Sequence, residues 1–269
     1  MRLDRLFAIV GHHLMAAPAQ LHAFQRRLLR WYRIHQRKLP WRETRDPYKI
    51  LVSEVMLQQT QVDRVVPKYH QFLRRYPTLQ ALAQSNPKEL RKLWYPLGYN
   101  IRPLRLRRIA QAAVREHHGQ IPDSYDGLIA MDGIGRYTAG AVLSFAFEQD
   151  APIVDTNVAR LLSRYFGIRG SLKKGPTQRR LWRMAEAVIP PGQGYDINQA
   201  MMDLGATICT ARAPKCPSCP LRRSCRSVPY ASSIPPPREP RLSRRGEWGQ
   251  RSSRSEKQMG PHPSGWGDP

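Results

Sequence analysis

The chain has 269 residues, enough for one large domain or two small ones with real hydrophobic cores. Lys and Arg total 44 against 20 Asp and Glu, and the resulting +24 is spread along the chain rather than gathered in a tail, which favours a polyanionic partner, nucleic acid first. All four cysteines fall between Cys209 and Cys225, which excludes a secreted disulfide scaffold, and no apolar run is long enough to span a membrane. The opening MRLDRLFAIVGHHLMAAPAQ imitates a signal peptide, but its apolar part is short and broken by His12 and His13. Residues 1–20 therefore read as a poorly ordered leader on a cytoplasmic, monomeric protein, nucleoid-associated if bacterial.

Taken in order, the elements are helices. LHAFQRRLLRWYRIHQ places Leu21, Phe24, Leu28 and Tyr32 at helical spacing. Asp46 is an N-cap candidate for the next helix, with Pro47 at its first position. Pro67 and Pro77 bracket a short helix, and Asn86 and Pro87 open another that carries Leu90, Leu93 and Trp94. Further helices fit IRPLRLRRIAQAAVREHHG, SYDGLIAM, YTAGAVLSFAF, TNVARLLSRYFG, TQRRLWRMAEAVI and DINQAMMDLGATICT. No stretch alternates with period two, so the fold class is all-α with short connections. After residue 228 the chain turns to Pro, Ser, Gly and Arg, and residues 229–269 read as a disordered basic tail.

Two motifs carry chemistry. The cysteines run C-x6-C-x2-C-x5-C as Cys209, Cys216, Cys219 and Cys225, which is a metal site by default. Structural zinc usually shows two C-x2-C pairs, whereas the single pair here suits a loop wrapped round a larger cubane cluster; spacing alone leaves zinc open. In IAMDGIGRYTAG, Gly133 and Gly135 allow a tight hairpin between a helix ending near Met131 and one starting near Tyr137. Backbone N–H groups and a helix N-terminus there make a clamp for DNA phosphate. The alternative is an ordinary interhelical turn.

The hairpin DGIGRYTAGAV, the segment IVDTNVARLLSRYFG and the cysteine spacing together resemble the helix-hairpin-helix DNA glycosylases related to endonuclease III. LPWR at 39–42, DPYKILVSEVMLQQTQV at 46–62, LGY at 97–99 and NQAMMDLGATIC at 198–209 are similar to the adenine DNA glycosylases of the MutY type. The resemblance covers roughly residues 22–228. It implies two helical domains flanking a DNA cleft. One is a helical barrel over 45–150 with the hairpin, and the other combines 21–44 with 151–228 and holds a [4Fe–4S] cluster on the four cysteines. It also implies removal of adenine, flipped out of a duplex where it is mispaired with 8-oxoguanine or guanine.

Breaking the bond to adenine leaves positive charge on the sugar and negative charge on the base, so a general acid is wanted near the purine. Glu54, flanked on its helix by Ile50, Leu51 and Leu57, sits where desolvation raises a carboxylic acid's pKa; the plain alternative is a glutamate at the solvent edge of an amphipathic helix. Asp155 is placed to cap TNVARLLSRYFG. The resemblance gives it a second role, stabilising the cationic sugar or adding to it briefly, with Asn157 holding the site and its water. Tyr137 matches a tyrosine beside the catalytic glutamate, at the position where strand-nicking relatives carry a Schiff-base lysine. A monofunctional glycosylase follows. By the same resemblance Gln59 wedges into the base stack, Thr60 and Tyr99 meet the opposite purine, and Arg37, Trp41, Arg42 and Gln199 line the adenine pocket. Surface charge, core packing and a plain helix face are their unspecialised alternatives.

Three positions depart from the family pattern. Asp132 replaces a hairpin proline, Thr156 a glycine between the aspartate and asparagine, and Asn100 a second tyrosine. Adenine glycosylases of this type usually add a C-terminal domain of nucleotide-hydrolase fold, where this sequence has the basic tail, so recognition of 8-oxoguanine is expected either to be weaker or to fall wholly on Thr60, Tyr99 and their neighbours. The rival readings are a thymine or uracil mismatch glycosylase, opposed by Glu54; an iron–sulfur protein that only binds DNA, opposed by the pair Glu54 and Asp155; and an endonuclease III-like lyase, opposed by Tyr137.

Overall fold

The structure, a computed structural model, describes residues 16–172 and 175–228. Regular structure among them is entirely helical, as the sequence pattern anticipates. The first helix, α1 (Pro18–His35), buries Phe24, Leu28, Leu29 and Tyr32 along one stripe. It starts at Pro18, earlier than Leu21, because proline fits the first helical position where its missing N–H is not needed. Residues 18–20 thus belong to this helix rather than to the leader. The rest of the leader through residue 15, and the whole of the tail, lie outside the described residues.

The central helix, α2 (Pro47–Leu57), is capped by Asp46, whose carboxylate accepts from the Tyr48 and Lys49 N–H groups, with Pro47 at its first position. Tyr48 and every residue from Ile50 to Met56 are buried. A helix enclosed on nearly all sides is a core element, not an amphipathic surface one. Its neighbours are α3 (Val62–Arg75), α6 (Ile101–Glu116) and α8 (Arg136–Phe145).

Pro67 does not start α3; it lies inside it. The buried stripe Val65, Tyr69 and Phe72 carries the helix through, and Pro67 is on the exposed side, where water can satisfy the carbonyl its ring leaves without a donor. A five-residue helix absent from the expected set, α4 (Leu79–Ala83), is capped by Thr78 and packs on α6. Helix α5 (Pro87–Trp94) takes the expected Asn86 cap and Pro87 start. Helix α7 (Tyr125–Ala130) and α8 form the expected hairpin arms.

The remaining helices are α9 (Thr156–Phe166), α10 (Gly175–Ala187) and α11 (Gly194–Thr207). Helix α11 packs against α1, α9 and α8, so it stands between the N-terminal helix and the hairpin arm that faces α2. Among the described residues no helix is long and apolar enough to cross a membrane.

Candidate active site

Glu54 lies in the middle of α2 and is 3% exposed. Burial pushes its carboxyl up to about 7, and the nearby charge of Asp155 adds to the rise, while Tyr137 and Arg42 act against it. Tyr137, in the first turn of α8, donates its hydroxyl to Glu54 Oε2 at 2.8 Å. The solvent-edge alternative for Glu54 is excluded by this burial. Tyr137 also packs against the core, so it serves packing and the carboxyl together.

Asp155 is the N-cap of α9, accepting the Val158 N–H at 2.7 Å. Its second oxygen accepts from the Asn157 amide at 3.0 Å. Burial pushes its pKa up; the Val158 and Asn157 donors and the charge of Arg160 favour the anion. The buried Arg160 extends the chain of contacts. It donates to Asn157 Oδ1 at 2.7 Å, to the Gly205 carbonyl at 2.7 Å and to the Cys209 carbonyl at 2.8 Å. Gly205 is what lets α11 approach: a Cβ there would lie 2.8 Å from Asn157 Cβ and 3.0 Å from its carbonyl oxygen. Asn157 is thereby held from three sides, and Arg160 was not singled out by the sequence because one arginine among many carries no positional signal.

The four residues expected around adenine divide. Arg37 and Arg42 both turn to Asp203 of α11, whose side chain is fully buried. Arg42 makes a bidentate pair with it at 2.8 and 2.9 Å, and Arg37 adds its Nε at 2.5 Å and its backbone N–H at 3.1 Å. These ion pairs hold the carboxyl of Asp203 below the usual range despite its burial. Arg42 is also close enough for its charge to act on Glu54. Trp41 is a core residue, edge-on to Tyr69 at 5.4 Å, and Gln199 is buried on α11. Asp203 sits in NQAMMDLGATIC, and only the fold brings it to the LPWR turn.

Two turns project beyond this cluster. At the end of α2, Gln59 is exposed and left-handed at φ 57°; after α5, Tyr99 is 49% exposed at φ 49°. Between them lies Arg102 of α6, 3% exposed. Thr60 accepts from it at 3.1 Å. In the hairpin, Gly133 has φ +100°, which L side chains avoid, and an added Cβ would meet the Arg105 side chain. Gly135 is the N-cap of α8. Asp132, in place of a hairpin proline, is 76% exposed and pairs with Arg108 at 3.3 Å.

The cysteines are set by two short turns after α11. Cys216 opens the 3-10 turn Cys216–Ser218, Cys219 follows it, and the turn Arg222–Ser224 leads to Cys225. All four thiols line one small cavity, walled by Leu161, Ile208 and Leu221. Arg164 donates to Cys209 Sγ at 3.4 Å and to the Thr210 and Ala211 carbonyls. Burial pushes the Cys219 thiol up to about 11 and raises that of Cys225. Among the described residues no three Cys, His, Asp or Glu side chains gather as round a single ion.

A carboxyl whose pKa is pushed up to about 7, a second carboxylate fixed by two N–H donors, and a glycine hairpin at a helix N-terminus thus come from α2, α9 and the α7–α8 turn. The family pattern of the HhH-GPD superfamily base excision DNA repair proteins matches residues 52–187, which contain both carboxylates and the hairpin. The chain belongs to this superfamily. Adenine DNA glycosylase of Rattus norvegicus is 41% identical over 225 residues, 80% of this chain and 44% of the rat protein. Thymine-DNA glycosylase of Aeropyrum pernix is 39% identical over 210 residues, 77% of this chain and 94% of the archaeal one. Among solved structures, a thermostable thymine-DNA glycosylase superposes with TM-score 0.72 at 32% identity, covering 77% of this chain and 95% of that one. The chain therefore spans less than half of its rat relative but nearly the whole of its archaeal one.

Proposed function

We propose that this HhH-GPD protein is a monofunctional adenine DNA glycosylase. It hydrolyses the bond between adenine and deoxyribose in duplex DNA where adenine faces 8-oxoguanine or guanine. The observation that carries the reading is Glu54, a buried carboxyl pushed up to about 7 and paired with the Tyr137 hydroxyl. A purine leaves easily only when a ring nitrogen is protonated, so an acid neutral at working pH is the required group. As the C1′–N9 bond breaks, its electron pair moves into the base, and the Glu54 proton goes to a ring nitrogen. The Asp155 carboxylate faces the positive charge left on the sugar, directly or by brief addition. Water then adds at C1′ as its proton passes to the Glu54 carboxylate, which restores the acid. Asn157, fixed by Arg160, orients Asp155 and that water.

Position 137 is tyrosine, which offers no amine for a Schiff base, so strand cleavage is not part of the reaction. Arg37 and Arg42 act from their Asp203 pairing, shaping the pocket wall with Trp41 and Gln199. The left-handed Gln59 and Tyr99, with Thr60, enter the duplex beside the flipped base and offset part of its unstacking cost, a few kcal/mol. The helices group into two lobes flanking the DNA. The cysteine cavity, lined by all four thiols, would take a [4Fe–4S] cluster held by Cys209, Cys216, Cys219 and Cys225, whose spacing suits a loop wrapped round a cluster. Such a cluster would fix the loop after α11.

A second reading, a thymine mismatch glycosylase, draws on the near-complete coverage of the archaeal relative. The deciding assay uses purified protein and duplexes with a single A:8-oxoG, A:G or T:G pair, sized with and without alkali. Cleavage of the adenine strand only after alkali supports the proposal. Cleavage at T:G alone replaces it with the second reading, and strand breaks without alkali refute monofunctional action.

A further inference from the structure

We propose that Arg102 is a positioning residue that clasps the two intercalating turns into one rigid unit, so that Gln59 and Tyr99 enter the DNA at a fixed separation. The inference rests on the glycosylase reading above for the role of those two tips. Arg102 Nη1 faces the carbonyls of Val55 at 3.1 Å, Met56 at 3.0 Å and Gln58. These are the carbonyls that the end of α2 leaves without helical partners. Its Nη2 faces Thr60 Oγ1 at 3.1 Å and the carbonyls of Leu97 at 3.0 Å and Gly98 at 3.1 Å.

One guanidinium thus closes the end of α2 with one nitrogen and joins Thr60 to the turn after α5 with the other. Its planar fork reaches both turns at once, which a point-charge ammonium does not do. The same cation lies 5.3 Å from the Tyr99 ring centroid and 5.4 Å from that of Trp94.

The reason such a clasp is needed is backbone strain. A non-glycine residue in the left-handed region costs about 1–3 kcal/mol and persists only where its surroundings over-determine it. Both tips are in that region, and both are exposed. Exposed tips cannot be held by their own packing, so the constraint comes from beneath. A buried cation with this many partners on two segments is a structural junction whose output is the geometry of the tips.

The test is a mutant cycle on the full-length protein. Arg102→Lys keeps the charge and loses the fork. In single-turnover cleavage of an A:8-oxoG duplex, it is expected to lower the rate about 10- to 100-fold in the wild-type background, the share of unstacking that the wedges offset. In a Gln59→Ala/Tyr99→Ala background the same change is expected to cost less than about threefold, since residues acting through a shared element are non-additive. An equal loss in both backgrounds overturns the inference.

A second reading needs no variant and no activity. The Thr60 N–H, bonded to the Leu57 carbonyl, and the Leu97 N–H, bonded to the Trp94 carbonyl, report one turn each. In the native protein their hydrogen exchange should share one opening free energy and one urea dependence. Separate openings refute the clasp. If the wild type removes no adenine, the proposed function fails, and the exchange measurement still decides the role of Arg102.

Discussion

Replacing Tyr137 by phenylalanine should move the alkaline limb of the pH–rate profile upward, not merely lower the rate. On the proposed mechanism Glu54 must be protonated to act, and its carboxyl is pushed up to about 7. At pH 7.5 such a group is about one-quarter protonated, whereas a carboxyl left at its ordinary 4.5 would be about one part in a thousand protonated, so burial is worth a factor of roughly 200 in active enzyme. The Tyr137 hydroxyl at 2.8 Å stabilises the anion and so opposes the rise. Removing a hydrogen bond to a charged group costs the charged form about 1.5–3 kcal/mol, and one pKa unit is about 1.4 kcal/mol, so the limb should shift upward by about one unit or more. Single-turnover release of adenine from an A:8-oxoG duplex, followed from pH 5 to 9, measures both limbs. A variant limb that stays in place or moves downward would refute the role of this contact, and a wild-type limb near 4.5 would refute Glu54 as a buried acid.

The same shift has a stability consequence, because a carboxyl whose folded pKa is raised above its unfolded value destabilises the fold as pH climbs from the unfolded to the folded value. Glu54→Gln should therefore match wild type below about pH 4.5 and exceed it by about 3 kcal/mol above pH 7 in urea unfolding; equal stability at pH 8 would falsify the shift. Asp203→Asn strips the anion from Arg37 and Arg42 and is expected to lose about 3–5 kcal/mol, and a loss under 1 kcal/mol would mean that the arginines repair themselves. Gly205→Ala forces a Cβ against Asn157 and should cost about 1–3 kcal/mol together with most of the adenine-release rate, a pairing that a surface glycine would not produce. Cys225→Ser should remove the broad visible absorbance and the iron of the loaded protein; full iron retention would detach Cys225 from the cluster.

Sequence reasoning reached the parts of the site that sit on local signals. Asp46 with Pro47 and Asn86 with Pro87 are helix starts because cap and proline chemistry act within one turn, and Asp155 was legible as a cap for the same reason. Glu54 stood out as one acid inside an apolar run. The misread was Pro67: the sequence marks it as a breaker, but a helix interior tolerates proline on its wet side when the opposite side is tied to the core by Val65, Tyr69 and Phe72. Helix α4 escaped because five residues do not complete two turns of pattern. Asp203, Arg160 and Arg102 escaped for another reason. Each acts across a separation of tens of residues or more, and in a chain with 44 basic residues nothing local distinguishes a buried arginine from a solvated one. Membership of the superfamily leaves adenine and thymine both open, and the proposed choice between them rests on Glu54 and its surroundings.

Helix α2 ties together two properties that proteins often keep apart. Its residues from Ile50 to Met56 are all buried, and the proposed proton donor, Glu54, is one of them. A site on a surface loop can drift while the scaffold stays sound. Here the donor cannot open to solvent unless the centre of the molecule opens with it, so the lifetime of the acid is the lifetime of the fold. The exposed turns can be rewritten through mutation without touching proton transfer, and altered base preference is open to change at those rims. Loss of the proton donor itself requires a substitution in the core, where most changes would be removed first by misfolding.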